Sequence, residues 1–218
     1  MPSSQRPPST CPTPLTLRGQ ARRERLLDAA RDVFLEQGYA SASVNEIVTR
    51  AGGSLATLYK LFGNKEGLFM AAMERHVATA WAAIEEGRRS DQRVEDVLRE
   101  LGRRMLALVF DPPVIRLFRG LAFEAERAPN LGELFLRHGP DRTRSQLADY
   151  LQEQVHQGGL ALDDPREAAG MFIGMLLGEW HVDALLGRDI SPSDAQCDAR
   201  AQRCVTLFLR GAVASRID

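Results

Sequence analysis

Residues 43–65, SVNEIVTRAGGSLATLYKLFGNK, decide the fold. They read as two short helices joined by a glycine turn, with a third helix starting at once. Ser43 and Glu46 stand in the S-x-x-E spacing of a capping box, which satisfies free N–H groups at a helix start. Ile47 and Val48 face inward. Gly52 and Gly53 supply the backbone freedom of a tight helix-ending turn. Ser54 caps the next helix, which ends near Phe62, and Asn64 caps the third. The middle helix has about two turns and cannot be stable alone, so a scaffold must hold it for use. The DNA major groove is wide enough to admit one such helix.

Upstream, Leu26, Leu27, Ala30, Val33 and Phe34 recur at helical spacing and predict a helix over about 19–37, ended by Gly38. Downstream, a helix after Asn64 runs to about Glu86. Others open near Asp91, at Asp111-Pro112, at Asn130, at Asp164-Pro165 and at Ser191-Pro192, each a capping residue or a proline suited to a first turn. The one from Asn130 is expected to reach Gln157 with a bend at Pro140. No segment alternates as a strand does. The chain is therefore expected to be all-α, with about nine helices. Residues 1–17 hold five prolines with Ser and Thr and read as a disordered tail.

The stretch AGGSLATLYKLFGNKEGLF, residues 51–69, resembles the DNA-binding segment of the TetR/AcrR family of transcriptional repressors. Ala51, Gly52, Ser54, Thr57, Leu58, Tyr59, Phe62, Lys65, Glu66, Leu68 and Phe69 fit that family's A-G-V-S turn, T-L-Y-x-x-F helix and N/S-K-E/D-x-L-F helix start. RERLLDAARDVFLEQGYASASVNEIV, residues 23–48, matches too, so the resemblance covers roughly residues 22–70. The remaining two thirds is similar to the branch with an AefR-like C-terminal domain.

The resemblance implies a helix-turn-helix DNA-binding domain over 18–64 and a helical ligand-binding and dimerisation domain over 65–218. It places the helix over about 55–62 in the major groove of double-stranded DNA, at a palindromic operator. Ser43 and Asn45 would meet phosphate at the start of the preceding helix, where the dipole favours an anion. Ser54, Thr57 and Tyr59 would approach phosphates or base edges, and Lys60 and Lys65 would attract phosphate. Leu55 and Ala56 stand where a polar residue or glycine is common, and Leu61 where His or Tyr is common. The recognition helix is thus poor in hydrogen-bond donors. Ala56 and Leu61 are candidates for thymine methyls, with burial the other reading of Leu61. Leu58 and Phe62 are core.

Residues 168–186 are apolar almost all round, so they must be buried on all sides. Either a monomer core or a partner subunit does this. A four-helix interface across a two-fold axis is expected, formed by Gly174, Leu177, Gly178, Trp180 and His181 with Val205, Phe208, Leu209 and Ala212 of the last helix. The family's repressors generally release DNA when a small molecule binds. Trp81, Met105, Phe118, Phe135, Met171 and Met175 suit an adaptable apolar pocket for such an effector. A ligand beside the helix that starts at Lys65 would move that start and change the separation of two recognition helices.

Composition sets the bounds. The net charge of −1 hides an asymmetry: residues 1–63 carry eight Lys and Arg against five Asp and Glu, a net of +3, and the remainder is −4. A modestly basic amino-terminal part suits phosphate. Cys11, Cys197 and Cys204 have no metal-type spacing and indicate a reducing compartment. No cofactor is expected. The four histidines are scattered, and no H-E-x-x-H, G-x-G-x-x-G, G-x-S-x-G or phosphate-binding loop is present, so an enzyme is disfavoured. A ligand-independent or redox-responsive regulator acting through Cys197 and Cys204 is the alternative. No segment reads as a signal peptide or a membrane span, and the cytoplasm is the expected location.

Overall fold

The structure is a computed structural model that describes residues 16–126 and 128–212. Among these residues the chain forms ten helices: α1 Leu17–Ser41, α2 Val44–Ala51, α3 Leu55–Phe62, α4 Lys65–Ser90, α5 Val94–Val109, α6 Pro112–Ala125, α7 Pro129–His138, α8 Pro140–His156, α9 Pro165–Leu185 and α10 Asp194–Ala212. The expected tail over 1–17 lies outside the described residues but for its last two, and the side chain of Ala212 lies outside them as well.

Two apolar cores organise the helices. The first gathers Leu26, Leu27, Ala30, Val33 and Phe34 of α1 around Ile47 and Val48 of α2, Leu58 of α3, and Leu68 and Phe69 of α4. Phe34 is fully buried, with the Phe69 ring edge-on at 4.9 Å. Leu117 and Leu121 of α6 and Leu131 of α7 close it from the other side. The second core joins the later part of α4 (Ala80, Trp81, Ile84) to α5, α8, α9 and α10. α4 therefore serves both cores, its start in one and its end in the other.

Local chemistry explains the boundaries. Gly38 has φ 76° and ψ 170°, which breaks the helical path of α1 where the glycine predicts it. Gly52, at φ 65° and ψ 44°, caps α2 in the left-handed region and delivers the chain to α3. Ser54 accepts from the Thr57 N–H and Asn64 from the Gly67 N–H, at 3.3 and 2.7 Å. The capping box does not form. The Ser43 hydroxyl makes no cap bond, and the Glu46 carboxylate is drawn to Gln37 and Arg50 instead, a charge-assisted partnership.

The helix expected over 130–157 is two helices. Pro140 lacks the N–H that would continue α7, and Gly139 turns at φ −106°, ψ −95° to let Pro140 start α8.

Gly67 sits where the α3–α4 corner is tightest. A Cβ there would lie 2.1 Å from the Phe62 carbonyl oxygen, a backbone atom that can yield only by moving α3. Gly67→Ala is expected to cost about 2 kcal/mol, read as a lowered melting temperature and weaker DNA binding; a melt unchanged from wild type would contradict this packing.

Candidate nucleic-acid interface and an internal cavity

α3 presents a narrow exposed face. Leu55, Ala56, Tyr59 and Lys60 lie at i, i+1, i+4 and i+5, and all four are exposed. Leu58, opposite them, is fully buried in the first core. Tyr59 keeps 49 % of its surface exposed. Lys60 forms no ion pair with any described residue. The Ser43 hydroxyl and Asn45 are exposed at the start of α2, beside this face in sequence.

Four expected contact residues also have partners within the chain. Leu61 packs partly buried against the first core, because the i+3 step from Leu58 turns it inward. Thr57 is half-buried, its hydroxyl 3.0 Å from the Ser54 hydroxyl, so both belong to the α3 cap. The Lys65 ammonium donates to the Ala40 carbonyl at 3.1 Å and lies 4.8 Å from the centre of the Tyr39 ring. Burial pushes its pKa down, with Glu124 opposing. Lys65 thus ties the start of α4 to the end of α1.

Behind the first core lies a cavity of about 300 Å³, walled by α4 through α9. Trp81, Met105, Phe118 and Phe135 line it, together with Met70 and Met73 of α4, which also touch the first core. A run of rings joins the two regions. Phe34 meets Phe69 at 4.9 Å, Phe69 meets Phe135 at 6.4 Å, Phe135 meets Phe118 at 5.0 Å, and Phe118 meets the His181 imidazole at 5.9 Å. Burial pushes the pKa of His76 and of His181 down, which disfavours the charged form of both imidazoles in this wall. Met171 and Met175 do not line the cavity. They are exposed on the far side of α9, 57 % and 37 %.

α9 is broken at Gly178, which adopts φ 47° and ψ −144°. Arg200 of α10 fills the break. Its Nε donates to the Leu176 carbonyl at 2.6 Å, its Nη1 pairs with Glu179 at 3.0 Å, and its guanidinium lies 4.4 Å from the centre of the Trp180 ring. Arg119 of α6 donates to the Ala184 carbonyl beyond the break. Leu177 and His181, on the same helical face as Gly170 and Ile173, line the cavity, and Trp180 packs edge-on against Phe110 at 5.8 Å. Val205 and Phe208 are likewise buried in the chain's own second core, because α10 packs on α5; Leu209 packs partly buried beside them. What remains outward on α9 is Gly174, with open space over its Cα, flanked by Met171, Met175, Val182 and Leu186. This outer stripe and Leu207 of α10 were not separable from the inner apolar residues by periodicity alone.

Cys197 and Cys204 are buried thiols. Burial pushes both pKa values up, which opposes thiolate chemistry. Seven residues apart on one helix, they are roughly 10 Å apart along its axis, too far for a bond between them.

Comparisons with known proteins agree with this geometry. Residues 26–72 match the family of bacterial regulatory proteins described as the tetR family. Residues 96–211 match the C-terminal domain of AefR-like transcriptional repressors. A solved structure described as a TetR-family transcriptional regulator, from Mesorhizobium loti MAFF303099, superposes with a TM-score of 0.74 at 28 % identity, over 91 % of this chain and 100 % of that one. The flavonoid-responsive regulator FrrA superposes with a TM-score of 0.64 at 27 % identity, over 90 % and 99 % of the two chains. The uncharacterized HTH-type transcriptional regulator YvkB of Bacillus subtilis (strain 168) is 26 % identical over 157 residues, 71 % of this chain and 79 % of that protein. The transcriptional activator FasR of Mycolicibacterium smegmatis is 39 % identical over 69 residues, and this chain spans 32 % of its length. These relatives are regulators, not enzymes.

Proposed function

We propose that this chain, which belongs to the TetR family of bacterial regulatory proteins and is a DNA-binding transcriptional regulator, works in the cytoplasm as a homodimeric repressor released by a small, largely apolar effector. The observation that carries the reading is α3, a two-turn helix pinned by Leu58 with Leu55, Ala56, Tyr59 and Lys60 left facing out. Lys60 attracts phosphate or guanine, Tyr59 offers its hydroxyl to phosphate, and Ala56 and Leu55 suit thymine methyls. Ser43 and Asn45 hold a phosphate at the start of α2. With few donors on α3, part of the specificity comes from DNA shape.

Two subunits meet through the outer stripe of α9 around Gly174 and Val182, giving one palindromic operator two copies of α3. The cavity supports the release step. Its wall includes Met70 and Met73, one turn apart on the helix whose start is tied to α1 by Lys65. An effector that moves this part of α4 moves the amino-terminal helices with it. The half-site separation of about 34–36 Å, or a multiple, is then lost. No cofactor enters this account. The redox alternative fares worse, since the two described thiols are buried with raised pKa values.

The test is binding to an operator duplex across salt concentrations. Tyr59→Ala is expected to weaken binding by roughly 10- to 100-fold, as loss of about 1–3 kcal/mol. Lys60→Ala is expected to reduce the salt slope by about 1 per subunit. Wild-type affinity and slope in both variants would contradict the assignment of α3.

A further inference from the structure

We infer that the effector is an amphipathic carboxylate, with its tail in the cavity and its head on Arg144 at the α8–α9 edge. The inference rests on the reading of the cavity as the effector site and adds the chemical class. Its starting point is the charge of the wall. Among all the residues that line the cavity there is no carboxylate, and Arg144 is the one permanent cation. The deep wall is made mostly of Met, Leu, Val and aromatic side chains, and burial disfavours the charged form of His181 within it. A cationic ligand finds no counter-charge there and meets Arg144 as a like charge.

Arg144 has a second property, shared with its neighbour across the gap, Gly170. It lines both the cavity and a groove on the outer surface, shared with Asp164, Arg166, Glu167 and Met171. It therefore stands at the mouth, where Gly170 leaves the edge low. Thr143, which also lines the cavity, adds a hydroxyl on the same turn. The head group of a ligand would stay hydrated at this edge while the tail is buried, which avoids the cost of a charge in the apolar interior.

Asp141, Asp164 and Glu167 stand near the mouth, and Glu74 is held by the lining His138 at 2.6 Å and by Arg142 at 2.9 Å. Asp141 pairs with Arg144 at 3.3 Å, one turn along the same helix, with both side chains more than 40 % exposed. Such exposed pairs contribute little to stability, so a ligand carboxylate in planar two-point contact with the guanidinium displaces Asp141 readily. Asp164 is occupied in capping α9, accepting from the Arg166 and Glu167 N–H groups. Size sets the tail. The cavity is about twice the roughly 150 Å³ that holds benzene in an engineered apolar cavity, room for on the order of a dozen carbon atoms.

The experiment compares three ten-carbon probes, decanoate, decanol and decylamine, by calorimetric titration of the full chain without DNA at neutral pH. Decanoate is expected to bind at least tenfold more tightly than decanol, and decylamine more weakly than either. Arg144→Gln is expected to bring decanoate down to the level of decanol while decanol is unchanged. Arg93→Gln, at an exposed arginine that lines neither the cavity nor the groove, is expected to leave all three as they are. Decanol binding as tightly as decanoate, unchanged decanoate binding in Arg144→Gln, or no binding of any probe would overturn the inference. Release of an operator duplex is read separately. Decanoate binding without release contradicts the effector reading and upholds the ligand class, whereas release by decanol alone upholds the effector reading and overturns the ligand class.

Discussion

Phe34→Ala is expected to lower the stability of the protein by about 3–5 kcal/mol, the range for truncating a fully buried aromatic side chain. Phe34 has no exposed surface and sits among Phe69, Tyr39, Leu58 and Ile47 at the meeting of α1, α3 and α4. Neither α2 nor α3 can keep its shape without this core, each being 8 residues long. The same substitution should therefore abolish DNA binding although Phe34 lies on the face away from solvent. Leu207→Ala, at a position 63 % exposed, provides the matched control and is expected to stay within about 0.5 kcal/mol of wild type. A melt of Phe34→Ala as stable as that control would contradict the packing described for the amino-terminal core.

The second large effect concerns the outer stripe of α9. Met175→Glu combined with Val182→Glu is expected to give a monomer by sedimentation with its helical signal intact. Both side chains are exposed within one chain, so the fold loses little. In an isologous interface each substitution appears twice, and four carboxylates converge near the axis. DNA affinity should fall by roughly 100- to 10,000-fold, because the second half-site then binds as a separate molecule. A persistent dimer would move the interface elsewhere on the surface. Phe208→Glu makes the contrast: buried in the chain's own core, it should unfold the protein and not merely split it.

Much of this was legible in the residues. Gly38 breaks the path of α1 and Gly52 ends α2, each at a positive φ, so backbone chemistry placed the approach to α2 and the turn into α3. Proline after a capping residue located α6 and α9 for the same reason. What escaped was decided by partners remote in sequence. Glu46 prefers Gln37 and Arg50 to its own helix start, and Lys65 prefers the Ala40 carbonyl to solvent. α9 defeated the periodicity argument twice. It is apolar on both sides, one lining the cavity and one left open, and Gly178 breaks its helical path. Only the contact with Arg200, 22 residues along the chain, shows why that glycine can hold such a turn.

The most direct test of a two-fold regulator that reads DNA through α3 is selection from random-sequence duplexes with the wild type and Tyr59→Ala side by side. The account predicts a palindromic site from the wild type, its half-sites about one helical turn or a multiple apart, and the loss of that enrichment in Tyr59→Ala. Enrichment of an asymmetric site, or of the same palindrome to the same extent by both proteins, would contradict it.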